Sequence, residues 1–364
     1  MSVDFWCSRE PYIAHAAPVW HALDPEQRGW FAVPPRLMPL ARDLGIAPVT
    51  QAAAKRLSDR AKTKGPLVIL SRCELPRVPK MRRLAFMEHG VGPNYEGRSH
   101  LPYDRRIALV LTTAAQEPVH RPLYGDAVHV IGCPKLDAYH GRRWRRHKTP
   151  VVAVSHHWDQ RTYPETRSAW PWDAPGWERV IASGRYRVLA HKHPGDPREI
   201  EPWFAERGVE FVPRFSDIME RADVYVCDNS STMYEFASTG RPVVCLNPPW
   251  YRRKVDFGVR FWSHLPGPCC DSPRALPRVI EQVLDESQHA RAARVATARA
   301  VYGHLDGRAS ERAAALLTAL PAEQHYPLAV TVRHDGVLYK RGTRLPRSLL
   351  LEMKAAGVIN GRGL

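Results

Sequence analysis

Short apolar runs separated by polar or amphipathic stretches recur along most of the chain. In the first part, Pro66 to Ser71, Arg83 to Glu88, Ile107 to Thr112 and Ala127 to Ile131 read as strands alternating with irregular or helical segments. That alternation predicts a parallel sheet. Gly132-Cys133-Pro134 halts the last run, and the polar, basic stretch from Asp137 to Thr149 reads as a linker. From Val151 the pattern is cleaner. Strands at Val151 to Ser155, Arg187 to Ala190, Val209 to Val212, Val224 to Cys227 and Pro242 to Leu246 alternate with helices near Trp177 to Ser183, Arg198 to Arg207, Ser216 to Arg221 and Thr232 to Thr239. Short strand–helix connections of this kind predict a doubly wound sheet whose ligands sit outside the carboxyl ends of the strands. Pro273 to Leu320 is almost wholly helical in pattern. Beyond it, Leu328 to Val332 and Val337 to Tyr339 flank the hairpin signal Asp335-Gly336, and Leu345 to Ala356 reads as a short helix.

Length agrees with this division. The chain has 364 residues, above the ~100–200 usual for one domain. The expected fold is α/β: a Rossmann-like domain over 1–149, a second over 150–325 that includes the C-terminal helices, and an appendage over 326–364 of no assigned role. Composition is that of a soluble globular protein, 44% hydrophobic and 25% charged. Ile107 to Ala115, among the longest apolar stretches, is about half the ~18 residues that suggest a membrane span. The N-terminus has neither a basic start nor an apolar run of signal length, so a cytoplasmic location is expected. Seven scattered cysteines without a C-x-x-C pair point to reduced, structural thiols rather than zinc or redox chemistry. The net charge of +16 favours polyanions, acidic membrane surfaces and phosphorylated substrates. Arginine dominates that charge, and its densest run, Arg142 to Arg146, lies in the linker. No more than weak polyanion or membrane-surface contact is therefore expected.

Candidate chemistry gathers at predicted strand ends. After Cys227 comes Asp228-Asn229-Ser230-Ser231 and then a helix, where free amides and the Ser230 and Ser231 hydroxyls suit a diphosphate. Glu235 stands in the first turn, placed to accept from ribose hydroxyls. Thr232-x-x-Glu235 equally fits a capping box, which needs no ligand. His193, in His193-Pro194-Gly195-Asp196, follows a strand on the same sheet edge and suits a phosphate oxygen. Ser155-His156-His157 ends the opening strand of the second domain, so Ser155 and His156 are placed at the donor; adjacent extended residues point to opposite faces, and one of the two histidines is then structural. In the first domain, a strand ends in His89, followed by Gly90 and Gly92. The glycines leave the imidazole uncovered, as a general base requires. No D-x-D, H-E-x-x-H or P-loop is present, so no metal and no cofactor is expected.

Four of these signals occur in one order: His89-Gly90, the G-x-P-x-x-D turn Gly132 to Asp137, His193-Pro194, and the A-D-x-x-x-x-D-x-S-S segment Ala222 to Ser231. Together they resemble the CDP-glycerol glycerophosphotransferases of teichoic acid synthesis, over roughly residues 60 to 250. The resemblance implies the glycosyltransferase-B architecture, His89 as the base that activates an acceptor hydroxyl, and His193, Ser230 and Ser231 as holders of the donor diphosphate. It implies a carbohydrate, polyol-phosphate or other hydroxyl acceptor. Family members carry a lysine shortly after H-G, where this chain has Val91-Gly92-Pro93-Asn94. A nucleotide sugar therefore stands beside CDP-glycerol as the donor. Two other readings stay open at this point: a sugar-nucleotide 2-epimerase-like enzyme, and a basic nucleic-acid-binding or nucleic-acid-modifying protein.

Overall fold

Parallel strands covered on both faces need side chains that pack on either side, and Val151-Val152-Ala153-Val154 is buried throughout. In the computed structural model, which describes residues 1–60, 63–80, 82–91, 103–159, 164–251, 264–321 and 323–359, two such sheets form. The first contains β1 (Val3–Trp6), β2 (Arg28–Val33), β3 (Pro48–Thr50), β5 (Leu67–Ile69), β6 (Leu84–Met87), β7 (Ile107–Thr112) and β8 (Val128–Val130), with the two-residue β4 (Thr63–Lys64) outside it. Its order is β3-β2-β1-β5-β6-β7-β8, all parallel. The second holds β9 (Val151–His156), β10 (Arg187–Lys192), β11 (Glu210–Phe211), β12 (Val224–Cys227), β13 (Val243–Leu246) and β14 (Cys269–Cys270) in the order β11-β10-β9-β12-β13-β14, also all parallel.

The order in which strands are added reverses once in each sheet, between β1 and β5 in the first and between β9 and β12 in the second. Diverging connections open a crevice at such a point. The two crevices supply the walls of the cavity described below.

The three N-terminal strands were not among the runs read as strands from the sequence. Asp4 breaks the apolar run of β1, and only the fold shows why it is tolerated: the Arg82 guanidinium bonds it at 2.8 Å with both side chains largely buried. The helices between the strands are α1 (Glu10–Ala22), which lies on the first sheet, α2 (Met38–Asp43), α3 (Gln51–Arg60), α4 (Glu117–Tyr124), α5 (Ala174–Ala182), α6 (Ile200–Ala205), α7 (Phe215–Arg221) and α8 (Thr232–Ala237). The C-terminal helices α9 (Leu276–Leu284), α10 (Gln288–Tyr302) and α11 (Ala309–Ala319) divide between the sheets. Ala298 and Val301 of α10 pack with the second sheet, whereas Ala313, Ala314 and Leu317 of α11 enter the first core beside Phe5 and Ile13. The chain turns between them at Gly303, whose φ of 81° favours glycine and whose added Cβ would lie 2.7 Å from Val130. Asp137 then caps α11, its carboxylate accepting from the amides of Ala309 (3.1 Å) and Ser310 (2.7 Å).

In the C-terminal segment, β15 (Glu323–Pro327) pairs antiparallel with β4 and with β18 (Arg344–Pro346), and β16 (Val332–His334) forms a hairpin with β17 (Val337–Tyr339). The first hairpin strand begins later than the sequence pattern suggests. Leu328 is drawn instead into a small core with Leu345 of β18 and with Leu349, Leu350 and Met353 of the final helix, α12 (Arg347–Ala355). Residues 360–364 of the expected appendage lie outside the described residues.

Candidate functional site

The two switch points open onto one cavity of about 570 Å³. The first sheet contributes His89, Gly90 and Val91 after β6, together with Arg9 just before α1 and His15 within it; the second contributes Ser155, His157, His191, His193, Ser230, Ser231 and Glu235. The walls approach closely where Gly90 meets Ser231. A Cβ on Gly90 would lie 3.1 Å from Ser231 Oγ, so a side chain there would press the two faces apart. Gly92, paired with Gly90 in the sequence reading, lies outside the described residues.

His89 is held by a backbone acceptor. Its Nδ1 lies 2.5 Å from the Leu70 carbonyl oxygen, which can only accept. Nδ1 therefore carries the proton, and in the neutral ring Nε2 is the lone-pair nitrogen. The Tyr12 ring packs edge-on against the imidazole at 4.5 Å. Burial lowers the His89 pKa, partly opposed by Glu88 and by the bond to Leu70. The ring is thus held neutral at physiological pH with its basic nitrogen on the side away from Leu70.

His193 has the opposite arrangement. The Gly195 amide donates to its Nδ1 at 2.9 Å, so that nitrogen must be unprotonated and the proton sits on Nε2 as a donor. Its ring lies among His157 (5.2 Å) and Trp158 (6.1 Å). The Asp196 that ends this turn grips Arg198, which reaches the carbonyls of Trp170 and His157 and so ties the turn to the strand end beside it.

Ser155 and His191 are register partners on β9 and β10 and share a face. The Ser155 hydroxyl and His191 Nδ1 are 2.7 Å apart, and burial pushes the His191 pKa down to about 3, so this imidazole is neutral. His156 does not reach a donor as expected from the sequence. It borders the cavity, but its imidazole is fully enclosed on the other face of β9, bonded to Asp173 at 2.7 Å and set among Trp170 and Phe204. The period-two alternation of a strand imposes this, and the half-buried member of the pair is His157.

The Ser230–Glu235 segment also differs in detail from the sequence pattern. The helix α8 (Thr232–Ala237) has six residues, and the amides of Met233 and Tyr234 already turn back onto the carbonyls of Ser230 and Ser231. The capping box is not formed. Thr232 Oγ1 bonds Ser230 Oγ at 2.7 Å, while Glu235 reaches away to Lys135 Nζ at 2.6 Å. That ion pair is almost wholly enclosed and crosses between the sheets, since Lys135 follows β8 and also lies 4.9 Å from the Phe215 ring. Lys135 is the residue that sequence reasoning passed over. It sits inside the quoted G-x-P-x-x-D turn, whose spacing alone does not say which member faces a ligand.

The acidic residues of the A-D-x-x-x-x-D-x-S-S segment, by contrast, brace backbone. Asp223 accepts from the amides of His147 and Val151, fastening the linker to β9. Asp228 accepts from the His157 and Ala169 amides and from the Ser168 hydroxyl, holding the two strand ends at the switch point together.

Two parallel α/β sheets meeting at a cleft, with the residues above at their carboxyl edges, define a protein of glycosyltransferase-B architecture. Residues 172–318 match the model of the CDP-glycerol:poly(glycerophosphate) glycerophosphotransferase family, which bears out the family resemblance of the motifs over that segment. His193, Ser230, Ser231 and Glu235 lie inside the matched segment and His89 lies outside it. Among solved structures, a histidine variant of the wall teichoic acid polymerase TagF soaked with CDPG is similar at TM-score 0.62 and 12% identity, covering 87% of this chain and 88% of that one. The S. aureus MnaA–UDP structure is similar at TM-score 0.54 and 12% identity (86% and 95% covered), and a UDP-N-acetylglucosamine 2-epimerase at 0.56 and 13% (86% and 94%). Likeness at these identities establishes the fold. No curated protein sequence matches the chain. Among the described residues no helix is long and apolar enough to cross a membrane.

Proposed function

We propose that this protein transfers a glycerophosphate or glycosyl group from a nucleotide-diphosphate donor to an acceptor hydroxyl. The observation that carries the reading is the meeting, in one cavity, of a neutral His89 with its proton on Nδ1 and a His193 with its proton on Nε2. One is poised to take a proton and the other to donate a hydrogen bond to an anion. With CDP-glycerol as donor, the acceptor oxygen attacks the phosphorus that bears glycerol, its proton passes to His89 Nε2, and the bond to the bridging oxygen breaks to release CMP. With a nucleotide sugar, the attack falls on the anomeric carbon and the nucleoside diphosphate leaves. In both cases negative charge grows on the leaving phosphate, and fixed donors placed there lower the barrier. His193 Nε2–H, the Ser230 and Ser231 hydroxyls and Lys135 are the donors for that charge. Because the amides of α8 are mostly engaged, the hydroxyls and Lys135 take the larger share. The family match over residues 172–318 favours glycerophosphate as the transferred group.

A donor screen tests the reading. The protein is heated with CDP-glycerol and with UDP-, GDP- and dTDP-sugars, and a selective rise in melting temperature identifies donor and base. Turnover of that donor is then followed with and without a hydroxyl acceptor. Conversion without any acceptor marks an epimerase, and no thermal response to any donor overturns the transferase.

A further inference from the structure

The reaction described above makes no use of Glu74, a carboxylate with no exposed surface at the switch point of the first sheet. It lies on the tight helical turn Arg72–Glu74 that follows β5. Its two oxygens take one amide from each diverging strand: Oε1 accepts from Ser8 N–H after β1 at 2.9 Å, and Oε2 accepts from Leu70 N–H after β5 at 3.1 Å. Its own amide donates to the Ser71 carbonyl at 3.0 Å. The residue so gripped on its N–H side, Leu70, is the one whose carbonyl oxygen holds His89 Nδ1. Tyr12, which packs on the His89 ring, also faces Ser71 at the start of the same turn.

We propose that Glu74 is the positioning residue of the candidate base: through the Leu70 N–H it fixes that residue so that its carbonyl selects the Nδ1–H tautomer of His89 and leaves Nε2 for the acceptor. The inference rests on the transferase reading for the role of His89, but the placement of the ring is a property of its own. A carboxylate suits this position because two converging N–H donors, one on each oxygen, match its two acceptor atoms. A neutral amide side chain would set its NH2 against one of those donors, and alanine would leave both strand-end amides unpaired. Burial also pushes the Glu74 carboxyl up to about 7. The groups facing it are Ser8 and the Cys7 thiol from the end of β1, the Tyr12 phenol from α1 and the Ser71 backbone. Around His89 itself stand Glu88, Arg9 and Glu235. Ionisation of Glu74 adds negative charge beside the Leu70 peptide, so the base strengthens as pH rises through this region.

The experiment combines nitrogen-15 NMR of the imidazoles, with the His89 signals assigned by difference from His89→Gln, and pH–rate profiles of the full chain. In the parent protein His89 is expected as the Nδ1–H tautomer. In Glu74→Gln that preference is expected to weaken, turnover to fall on the order of 10-fold with the donor-induced thermal shift kept, and the step in the profile near pH 7 to vanish. Glu74→Asp should restore part of both. A His89 tautomer unchanged in both Glu74→Gln and Glu74→Ala, each folded by circular dichroism, overturns the proposal whatever the rates do. A changed tautomer together with a fully active His89→Gln sustains the positioning role and rejects His89 as the base.

Discussion

The strand ends of the two sheets border the same cavity and treat their histidines in opposite ways. After β6 the ring nitrogen nearest the backbone meets a carbonyl, which puts the His89 lone pair on Nε2; after β10 it meets an amide, which puts the His193 proton on Nε2. Residue type is identical in the two places. The polarity of one backbone group decides whether an imidazole becomes a proton acceptor or an anion donor. The first wall adds a buried carboxylate behind its histidine, Glu74, and the second adds hydroxyls, Ser230 and Ser231, with Lys135 brought over from the first half of the chain.

The sharpest way to break this contrast is to remove each histidine in turn. His89→Ala is expected to lower turnover by about 10²–10⁴ with donor affinity kept. His193→Ala is expected to weaken donor binding by about 10–100-fold, the worth of a hydrogen bond to a charged group. Titration calorimetry with the donor found in the screen, beside initial rates, separates them, and equal small effects in both would erase the contrast. The pH profile sharpens it further. Because burial lowers the His89 pKa below its ordinary 6.5, the base is lost only as pH falls past that lowered value, and the acid limb of kcat/KM should lie below pH 6.5 in the parent protein.

Next in size is the tie between the walls. Lys135→Met leaves Glu235 buried without its cation, a loss of about 3–5 kcal/mol that appears as a lower melting temperature. Adding Glu235→Gln should recover most of that stability. Donor affinity should stay low in the double variant, since the positive charge is still missing; full recovery of affinity would show that Lys135 serves Glu235 alone. Leu317→Ala, which hollows the α11 anchor in the first core, is expected to cost about 2–5 kcal/mol by denaturant titration while sparing donor affinity.

Smaller effects follow at the second wall. Ser231→Ala should weaken the donor by less than His193→Ala does, because one neutral hydrogen bond contributes about 0.5–1.5 kcal/mol. The smallest expected change comes from a chelator. On the proposed reading, in which His193, the two hydroxyls and Lys135 hold the leaving phosphate, transfer should persist in EDTA, and complete loss restored by manganese or magnesium would replace this charge set with a bridging ion.

Much of the second sheet was legible in the chain because its strands are continuous apolar runs ended by small polar turns, a signal that depends only on near neighbours. The motif order at His89, Gly132 to Asp137, His193 and Ala222 to Ser231 likewise carried the family resemblance. Strand β1 escaped because Asp4 interrupts its pattern, and the compensating Arg82 lies 78 positions away. The role of each motif member was not legible for the same reason. Asp137 caps α11 across a separation of 172 residues and Lys135 meets Glu235 across 100.

By itself, then, the sequence determined the two-sheet α/β class, the strand ends at which polar residues gather and the residue types available for proton and phosphate chemistry. These follow from local hydrophobic pattern and turn residues. Only the tertiary structure decided that His156 faces Asp173 while His157 faces the cavity, that Glu235 is spent on Lys135, and which nitrogen of His89 and of His193 carries the proton. A tautomer is chosen by the group that happens to lie within about 3 Å of the ring. That neighbour is supplied by folding, from a strand or turn whose distance along the chain has no bearing on its distance in space.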